Sequence, residues 1–286
     1  MTEPYRRETV PCASPSGWRR MAYLEWGDPD NSRVLICVHG LTRCARDFDA
    51  LARELSGHYR VVCPDVAGRG DSDRLRNPME YAVPTYANDM VALIARLDVE
   101  AVHWVGTSLG GLIGLALAAL PGSPVTRLVL NDVGPVLSAA ALERIGTYVG
   151  QAPDFPGMDA AEQYVRAVSA GFGPHSDAQW RFLTEHVVRR NPGGGYTVHY
   201  DPAIAVPFNA QQPPRDIELW PQYEAIRCAT LVIRGEQSDL LTRETAAQMA
   251  SRGPRAKVVE IPGVGHAPTL MHPGQIAVVR DFLLGA

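Results

Sequence analysis

The sequence lacks the features that mark several classes of protein. Its 286 residues carry a formal net charge of only -4, so a basic surface for nucleic acid or anionic lipid is not expected. The most apolar stretch, residues 112–120, is much shorter than the ~20 residues of a transmembrane helix. Residues 1–17 contain no apolar core of a secretory signal. We therefore expect a cytoplasmic protein without nucleic-acid or membrane partners.

Cysteine and metal-ligand patterns are also missing. The five cysteines are an odd number without paired spacing, which argues against a disulfide framework and favours a reducing compartment. No C-x-x-C motif and no His/Glu spacing of a metal site occurs. The sequence therefore predicts neither a metal site nor a cofactor.

Apolar runs alternate with amphipathic segments through most of the chain. The runs that are typical of buried strands cover residues 34–38, 59–63, 102–105, 128–130, 230–234 and 257–261. Helical patterns cover residues 48–55, 86–97, 109–120 and 275–284. Two extended segments, residues 8–14 and 18–26, flank a turn and predict an edge hairpin. This alternation of strands and helices predicts a mostly parallel α/β sheet with right-handed crossovers.

The alternation stops after residue 135. Helical patterns follow at residues 139–149, 160–170 and 177–190, joined by connections rich in proline and glycine. No pattern of a buried strand occurs before residue 227. We predict a core made of residues 1–135 and 227–286, and a mostly helical cap made of residues 136–226.

The segment Gly106-Thr107-Ser108-Leu109-Gly110 follows a predicted strand and opens a predicted apolar helix. A serine on such a tight turn needs small residues on both sides, because larger side chains would collide. The turn lifts the hydroxyl clear of the backbone at the helix N-terminus, where free amides and the helix dipole favour negative charge. A chance Gly-x-Ser-x-Gly in a loop is the alternative, but the strand and helix around the motif favour a nucleophile. We therefore predict that Ser108 is the nucleophile.

An acyl-transfer site also needs two donors aimed at the oxyanion that develops in the transition state, each contributing roughly 3 kcal/mol. We expect one from the backbone amide of Leu109, the residue after the nucleophile. The second is expected from Leu41, in the loop after the predicted strand at residues 34–38. Gly40 allows this loop to turn closely. His39, at the end of the strand, is interpreted as a structural residue without a catalytic role.

The general base of such a site is a histidine whose pKa lies near the working pH. Of the eight histidines, only His266 lies in a glycine-rich loop directly after a late predicted strand. Its position also fits the chain order of serine, acid and histidine. We predict His266 as the base, with the nearby His272 as its rival.

The acid is expected between the serine and the histidine, in the loop after the predicted strand at residues 230–234. That loop contains Glu236 and Asp239, and Asp239 lies where the chain should turn back toward the histidine. We predict that Asp239 orients the imidazole and stabilises the imidazolium, and that Glu236 is a solvated charge. Asp132, at the end of the preceding strand, is the topological alternative.

With these residues in place, the chain resembles the α/β-hydrolase superfamily along nearly its whole length. The resemblance rests on His39-Gly40, residues 65–72, the turn around Ser108, Asp239 and the Gly-His pair at His266. It implies an eight-stranded, mostly parallel sheet with one antiparallel strand, helices on both faces, and a helical cap inserted after the sixth strand. Ser108 excludes the members with an aspartate nucleophile and favours the serine esterase and lactonase branch.

Arg43 directly follows the predicted oxyanion loop. Arginine binds a carboxylate through two parallel hydrogen bonds, so Arg43 is a candidate substrate-binding residue. The alternative is an exposed loop arginine that makes no specific contact.

The expected reaction is the hydrolysis of a carboxylic ester or lactone of a small, largely apolar substrate through an acyl-enzyme. One alternative is the hydrolysis of carbon–carbon bonds in ring-fission products. Enzymes of that type in the superfamily typically have further glycines after the His-Gly pair, and Leu41-Thr42-Arg43-Cys44 departs from that pattern. Another alternative is a binding protein on the same fold. The fold does not identify the substrate, and the sequence does not indicate the oligomeric state.

Overall fold

The computed structural model describes residues 4–210 and 214–285. Its strands are β1 (Tyr5–Ser14), β2 (Gly17–Trp26), β3 (Val34–Val38), β4 (Arg60–Pro64), β5 (Val102–Thr107), β6 (Val125–Asn131), β7 (Val136–Leu137), β8 (Asp154–Phe155), β9 (Val188–Arg190), β10 (Tyr196–Val198), β11 (Ile217–Glu218), β12 (Ala229–Gly235) and β13 (Lys257–Ile261). Its α-helices are α1 (Asp49–Leu55), α2 (Val83–Leu97), α3 (Leu109–Ala118), α4 (Ala139–Gly146), α5 (Met158–Val168), α6 (Asp177–Val187), α7 (Ala205–Asn209), α8 (Trp220–Ala225), α9 (Arg243–Met249) and α10 (Pro273–Leu284). Short 3₁₀ helices lie at Ala45–Phe48, Pro78–Glu80, Ala170–Phe172 and Pro202–Ile204.

Eight strands form one sheet in the order β1-β2-β4-β3-β5-β6-β12-β13. Strand β2 pairs antiparallel with both β1 and β4, and the other neighbouring strands pair in parallel. The predicted fold, a mostly parallel eight-stranded sheet with one antiparallel strand, is therefore confirmed. The edge hairpin predicted at residues 8–14 and 18–26 corresponds to β1 and β2.

The sheet is covered by apolar side chains and helices on both faces. All five residues of β3 are buried, and they alternate between the two faces as a strand requires. Val34, Ile36 and Val38 belong to the apolar cluster that includes residues of α2 and α3. Leu35 and Cys37 belong to the opposite cluster, which includes residues of α1 and α10. None of the helices in residues 4–210 and 214–285 combines the length and apolarity needed to cross a membrane.

The segment between β6 and β12 holds α4 to α8 and two small sheets, β8-β10-β9 and β11-β7. The three helices predicted here from the sequence occur as α4, α5 and α6, but the prediction of helix through residue 190 is wrong. Residues 188–190 form β9, which pairs with β10. The connection between these strands turns at Gly194, whose φ of 87° favours glycine, so a hairpin replaces the last helical turn.

Candidate active site

Ser108 lies on the tight turn between β5 and α3. Its backbone has φ 51° and ψ -112°, a conformation that side-chain-bearing residues rarely adopt. The Ser108 amide donates to the Asn131 carbonyl at 3.0 Å, and its own carbonyl accepts from the amides of Gly111 and Leu112. The turn predicted for Ser108 is thus present, and it is secured from the neighbouring strand β6.

Two glycines allow this turn to pack tightly. A β-carbon on Gly106 would lie 2.2 Å from the Gly110 carbonyl oxygen. A β-carbon on Gly110 would lie 2.0 Å from the carbonyl oxygen of Val38, at the end of β3. Neither position has room for a side chain, and the glycine at position 110 lets the helix after Ser108 pack directly against the end of β3.

His266 lies in the loop between β13 and α10 and faces Ser108. Its Nε2 lies 3.0 Å from Ser108 Oγ, where it can accept the hydroxyl proton. Its Nδ1 donates to Asp132 Oδ2 at 2.7 Å. The rival histidine, His272, instead packs edge-on against His175, with ring centroids 4.7 Å apart. The structure therefore brings the two predicted residues Ser108 and His266 together.

Asp132, and not Asp239, holds His266. Asp132 follows β6 directly and is fully buried. Its Oδ2 also accepts from Ser238 Oγ at 2.6 Å, and its Oδ1 accepts from the Gly235 amide at 2.8 Å. These hydrogen bonds fix the orientation of the carboxylate. The geometry therefore selects Asp132, the alternative acid that the sequence left open.

The prediction that Asp239 orients the histidine is wrong. Its carboxylate forms an ion pair with Arg144 of α4, and the two side chains are 48% and 42% exposed. The loop after β12 turns Ser238 toward Asp132, whereas Asp239 points away toward Arg144. Glu236 is exposed, as predicted, and accepts from the Gly263 amide. Sequence reasoning missed Ser238, because no motif distinguishes it from an ordinary loop serine.

The loop after β3 lies beside the nucleophile. Leu41 lines the same cavity as Ser108 and Leu109. No backbone hydrogen bond from the Leu41 or Leu109 amide occurs in the described part of the chain. His39 is fully buried, with Nδ1 donating to the Gly40 carbonyl at 2.7 Å and Nε2 accepting from the Val66 amide at 2.9 Å. Burial lowers the pKa of His39 to about 4, so it is neutral and structural, as predicted.

Arg69 holds this loop by a hydrogen bond. Its guanidinium is fully buried, and Nε donates to the Leu41 carbonyl at 2.8 Å. Its Nη1 donates to the Ala67 carbonyl and to the Tyr86 hydroxyl, at 2.7 and 2.9 Å. The Leu41 carbonyl is therefore held by a buried side chain of residues 65–72, a segment on which the resemblance partly rests.

Arg43 is a buried side chain on the wall of the cavity. It is 9% exposed, so the sequence-based alternative of an exposed arginine without a specific contact is wrong. Its Nε and Nη2 donate to the two carboxylate oxygens of Asp47 at 2.8 and 2.6 Å. Its guanidinium also lies 5.6 Å from the centroid of the Phe172 ring. Whether it binds substrate remains a prediction.

The cavity above Ser108 has a volume of about 660 Å³, which is within the usual range for small-molecule sites. Most side chains that line it are apolar, among them Leu112, Leu137, Ile145, Phe172, Ile204, Phe208, Ile217 and Leu240. Its charged lining side chains, His266 apart, are Arg43, Asp47, Arg144 and Arg215. Among the described residues, no cluster of three His, Cys, Asp or Glu side chains is arranged to hold a metal ion.

The segment between β6 and β12 also touches the loop that carries the histidine. The Gly265 amide donates to the Gly171 carbonyl at 2.6 Å. A β-carbon on Gly171 would lie 3.1 Å from the His266 carbonyl oxygen. The position of His266 therefore depends in part on residues 170–173.

Comparison with known proteins identifies the family of this chain. The model of the alpha/beta hydrolase family matches residues 35–279. The chain is 53% identical to a 3-hydroxybutyrate-oligomer hydrolase of Cupriavidus necator, over 97% of both sequences. It is 27% identical to a 2-(acetamidomethylene)succinate hydrolase of Mesorhizobium japonicum, over 82% of this chain and 81% of the relative. A crystal structure of an alpha/beta hydrolase from Novosphingobium aromaticivorans superposes with a TM-score of 0.89 at 38% identity, covering 100% of both chains. The chain is a hydrolase that belongs to the alpha/beta hydrolase family.

Proposed function

We propose that this chain is a serine hydrolase of carboxylic esters, with Ser108 as nucleophile, His266 as base and Asp132 as acid. One observation carries the proposal. Ser108 Oγ, the imidazole of His266 and the buried carboxylate of Asp132 form a continuous hydrogen-bonded chain of 3.0 and 2.7 Å. In such a chain the acid selects the tautomer that accepts the serine proton and stabilises the imidazolium that results.

The reaction proceeds in two steps. His266 takes the proton of Ser108 as Oγ attacks the ester carbonyl, and then passes it to the alcohol that leaves. A water molecule loses a proton to His266, attacks the acyl-enzyme and releases the acid, which restores Ser108. Each half-reaction passes through a tetrahedral oxyanion.

The backbone amides of Leu41 and Leu109 are the proposed donors to that oxyanion. Leu109 is the first residue of α3, where an amide has no partner inside the helix. Leu41 lines the same cavity as Ser108, in the loop that Arg69 holds by a hydrogen bond. Preorganised donors of this kind contribute roughly 3 kcal/mol each to the barrier reduction.

Short oligomers of 3-hydroxybutyrate are the proposed substrates. The relative of that name is 53% identical over 97% of the chain, which makes a shared substrate class the simplest inference. Each repeating unit carries one ester, one methyl group and one methylene group, and the mostly apolar cavity suits that composition. A buried arginine in its wall suits the single carboxylate at the end of such an oligomer.

We also propose that residues 136–226 act as a cap over the core of residues 1–135 and 227–286. This segment lies between β6 and β12 of the main sheet, after its sixth strand. It supplies Tyr148, Phe172 and Phe208 to the wall of the cavity. The size of the bound substrate would then be limited by the cap.

Replacement of Ser108 by alanine tests the catalytic assignment. We expect loss of at least ~10³-fold in kcat on a short-chain aryl ester and on 3-hydroxybutyrate oligomers, because the covalent step has no other nucleophile. Ser169→Ala is the matched control, since Ser169 is a buried serine that lines the same cavity. Its kcat should stay within about threefold of the wild-type value, because the exchange removes neither a charge nor a member of a hydrogen-bonded network. Equal activity of Ser108→Ala and the wild type would end the proposal.

A panel of substrates tests the proposed substrate class. Aryl esters, lactones, 3-hydroxybutyrate oligomers and dienoic diketo acids should be compared by kcat/KM with the same enzyme preparation. Highest turnover on the dienoic diketo acids would favour carbon–carbon hydrolysis. Stoichiometric labelling by a fluorophosphonate without turnover of any compound would favour a binding protein.

A further inference from the structure

The guanidinium of Arg43 has an open edge. Arginine has five N–H donors, and Asp47 occupies the edge formed by Nε and Nη2. No other hydrogen bond of the Arg43 guanidinium occurs within the ranges that the structure describes. The edge formed by Nη1 and Nη2 therefore remains available for a second carboxylate, with two parallel hydrogen bonds.

Arg43 also stands close to the nucleophile. A β-carbon placed on Gly40 would lie 3.7 Å from Arg43 Cγ and 3.8 Å from Ser108 Cβ, so the two side chains flank the same glycine. Arg144 and Arg215 line the cavity as well, but both are exposed. Arg43 is thus the buried arginine of the cavity, where an ionic hydrogen bond is weakened least by solvent.

The chemistry of the oligomer fixes where its carboxylate can lie. Whichever ester is cut, the carboxylate belongs to the alcohol fragment, because the acyl fragment ends in a hydroxyl group. In the last ester of the chain, the carboxylate oxygen lies about 6 Å from the carbonyl carbon at full extension. One repeating unit farther from the end, that distance rises to about 10 Å. An extended oligomer can therefore place the carboxylate beside a cation near Ser108 only when the last ester is cut. An internal ester would require the intervening unit to fold back.

We propose that Arg43 binds the terminal carboxylate of the oligomer, so that the enzyme cuts the last ester and releases monomers from the carboxyl end. This inference rests on the proposed function. The bond between the acyl carbon and the ester oxygen breaks, and the bond from the acyl carbon to Ser108 Oγ forms. The serine proton passes through His266 to the leaving oxygen, and free 3-hydroxybutyrate departs. Water then releases the shortened oligomer.

The wild-type enzyme tests the direction of cleavage without any variant. A trimer whose hydroxyl end is blocked as a methyl ether should give the blocked dimer and free 3-hydroxybutyrate as its first products. Release of the blocked monomer first would overturn the proposal. Turnover of aryl esters without any turnover of oligomers would instead contradict the proposed substrate.

Substitution of Arg43 tests the residue itself. In the wild type, conversion of the terminal carboxylate to a carboxamide should lower kcat/KM roughly 10- to 100-fold, since a hydrogen bond to a charged group is lost. Arg43→Gln should remove that difference, and Arg43→Lys should keep part of it, because a lysine retains the charge but not the paired donors. Turnover of the carboxamide should change much less than turnover of the acid, which separates this role from a general structural defect.

Arg144→Gln and Arg215→Gln are the matched controls from the same cavity. Both should retain the preference for the free carboxylate. The proposal would be overturned if Arg43→Gln kept the preference for the free carboxylate and one of the controls lost it. The carboxylate would then bind elsewhere in the cavity. Since Asp47 loses its partner in Arg43→Gln, the Tm of each variant should be measured beside its kinetics.

Discussion

Exchange of Asp132 for asparagine should remove most of the turnover, whereas the same exchange at Asp239 should leave it nearly unchanged. Asparagine keeps the shape of the side chain but cannot accept from His266 Nδ1 as a charged group. The imidazole then loses both its preferred tautomer and the stabilisation of its protonated form. For a serine triad this loss is about 10⁴-fold in kcat, which corresponds to about 5 kcal/mol of barrier.

Asp239→Asn changes a different contact. It removes the ion pair with Arg144, whose side chains are 48% and 42% exposed. Exposed pairs contribute about 0–1 kcal/mol, so we expect kcat/KM within roughly threefold of the wild type. The two exchanges are chemically identical and lie near the ends of adjacent strands, β6 and β12, which makes Asp239→Asn the matched control.

The assay should be initial-rate hydrolysis of a short-chain aryl ester, which does not depend on the identity of the natural substrate. The Tm of both variants should be measured, because Asp132 is buried and its hydrogen bonds also support the fold. A 100-fold loss in Asp239→Asn, with near wild-type turnover in Asp132→Asn, would show that the sequence-based choice was correct. The hydrogen-bonded chain through Asp132 would then not be the catalytic one.

Two predictions concern stability. Burial lowers the pKa of His39 to about 4 from its ordinary value of 6.5, so below pH 6.5 the unfolded chain binds a proton that the folded chain does not. His39 alone should therefore contribute about 2 kcal/mol to the loss of unfolding free energy between pH 7.5 and pH 5, and urea unfolding of His39→Gln should show a pH dependence weaker by that amount. An equal pH dependence of the unfolding free energy in the wild type and in His39→Gln would contradict the lowered pKa of His39. Gly110→Ala should lower the unfolding free energy by about 1–3 kcal/mol, because its β-carbon would meet the Val38 carbonyl oxygen at 2.0 Å. Gly57→Ala, which meets nothing within 4 Å, is the control, and equal stability of the two variants would refute the packing argument.

The fold was predictable because its information is local. Each central strand is a short apolar run, such as β3, and each run is followed by a helical period. The turn at Ser108 was predictable for the same reason, since a strand, two glycines and a helix all lie within a few residues. His266 could be selected because its loop lies directly after a late strand.

The acid was not predictable because two candidates satisfy the same chain order. Both Asp132 and Asp239 follow strands that end at the same edge of the sheet. The choice depends on how residues 236–242 fold, and the side chain that decides it is Ser238, which bonds to Asp132. The partner of Asp239 is Arg144, in the cap, and such a contact between distant segments leaves no local pattern. The short strands of the cap were missed for the same reason.

The two partners of the serine are anchored to different parts of the molecule. Asp132 is held by Gly235 and Ser238 of the core, even though the cap begins a few residues after it. The loop of His266 is instead bonded to Gly171, inside the cap. A displacement of residues 170–173 would therefore move the imidazole and leave the carboxylate in place. Phe172, within the same residues, lines the cavity. A shift of this part of the cavity wall and a shift of the imidazole are therefore coupled through the contact between Gly171 and Gly265.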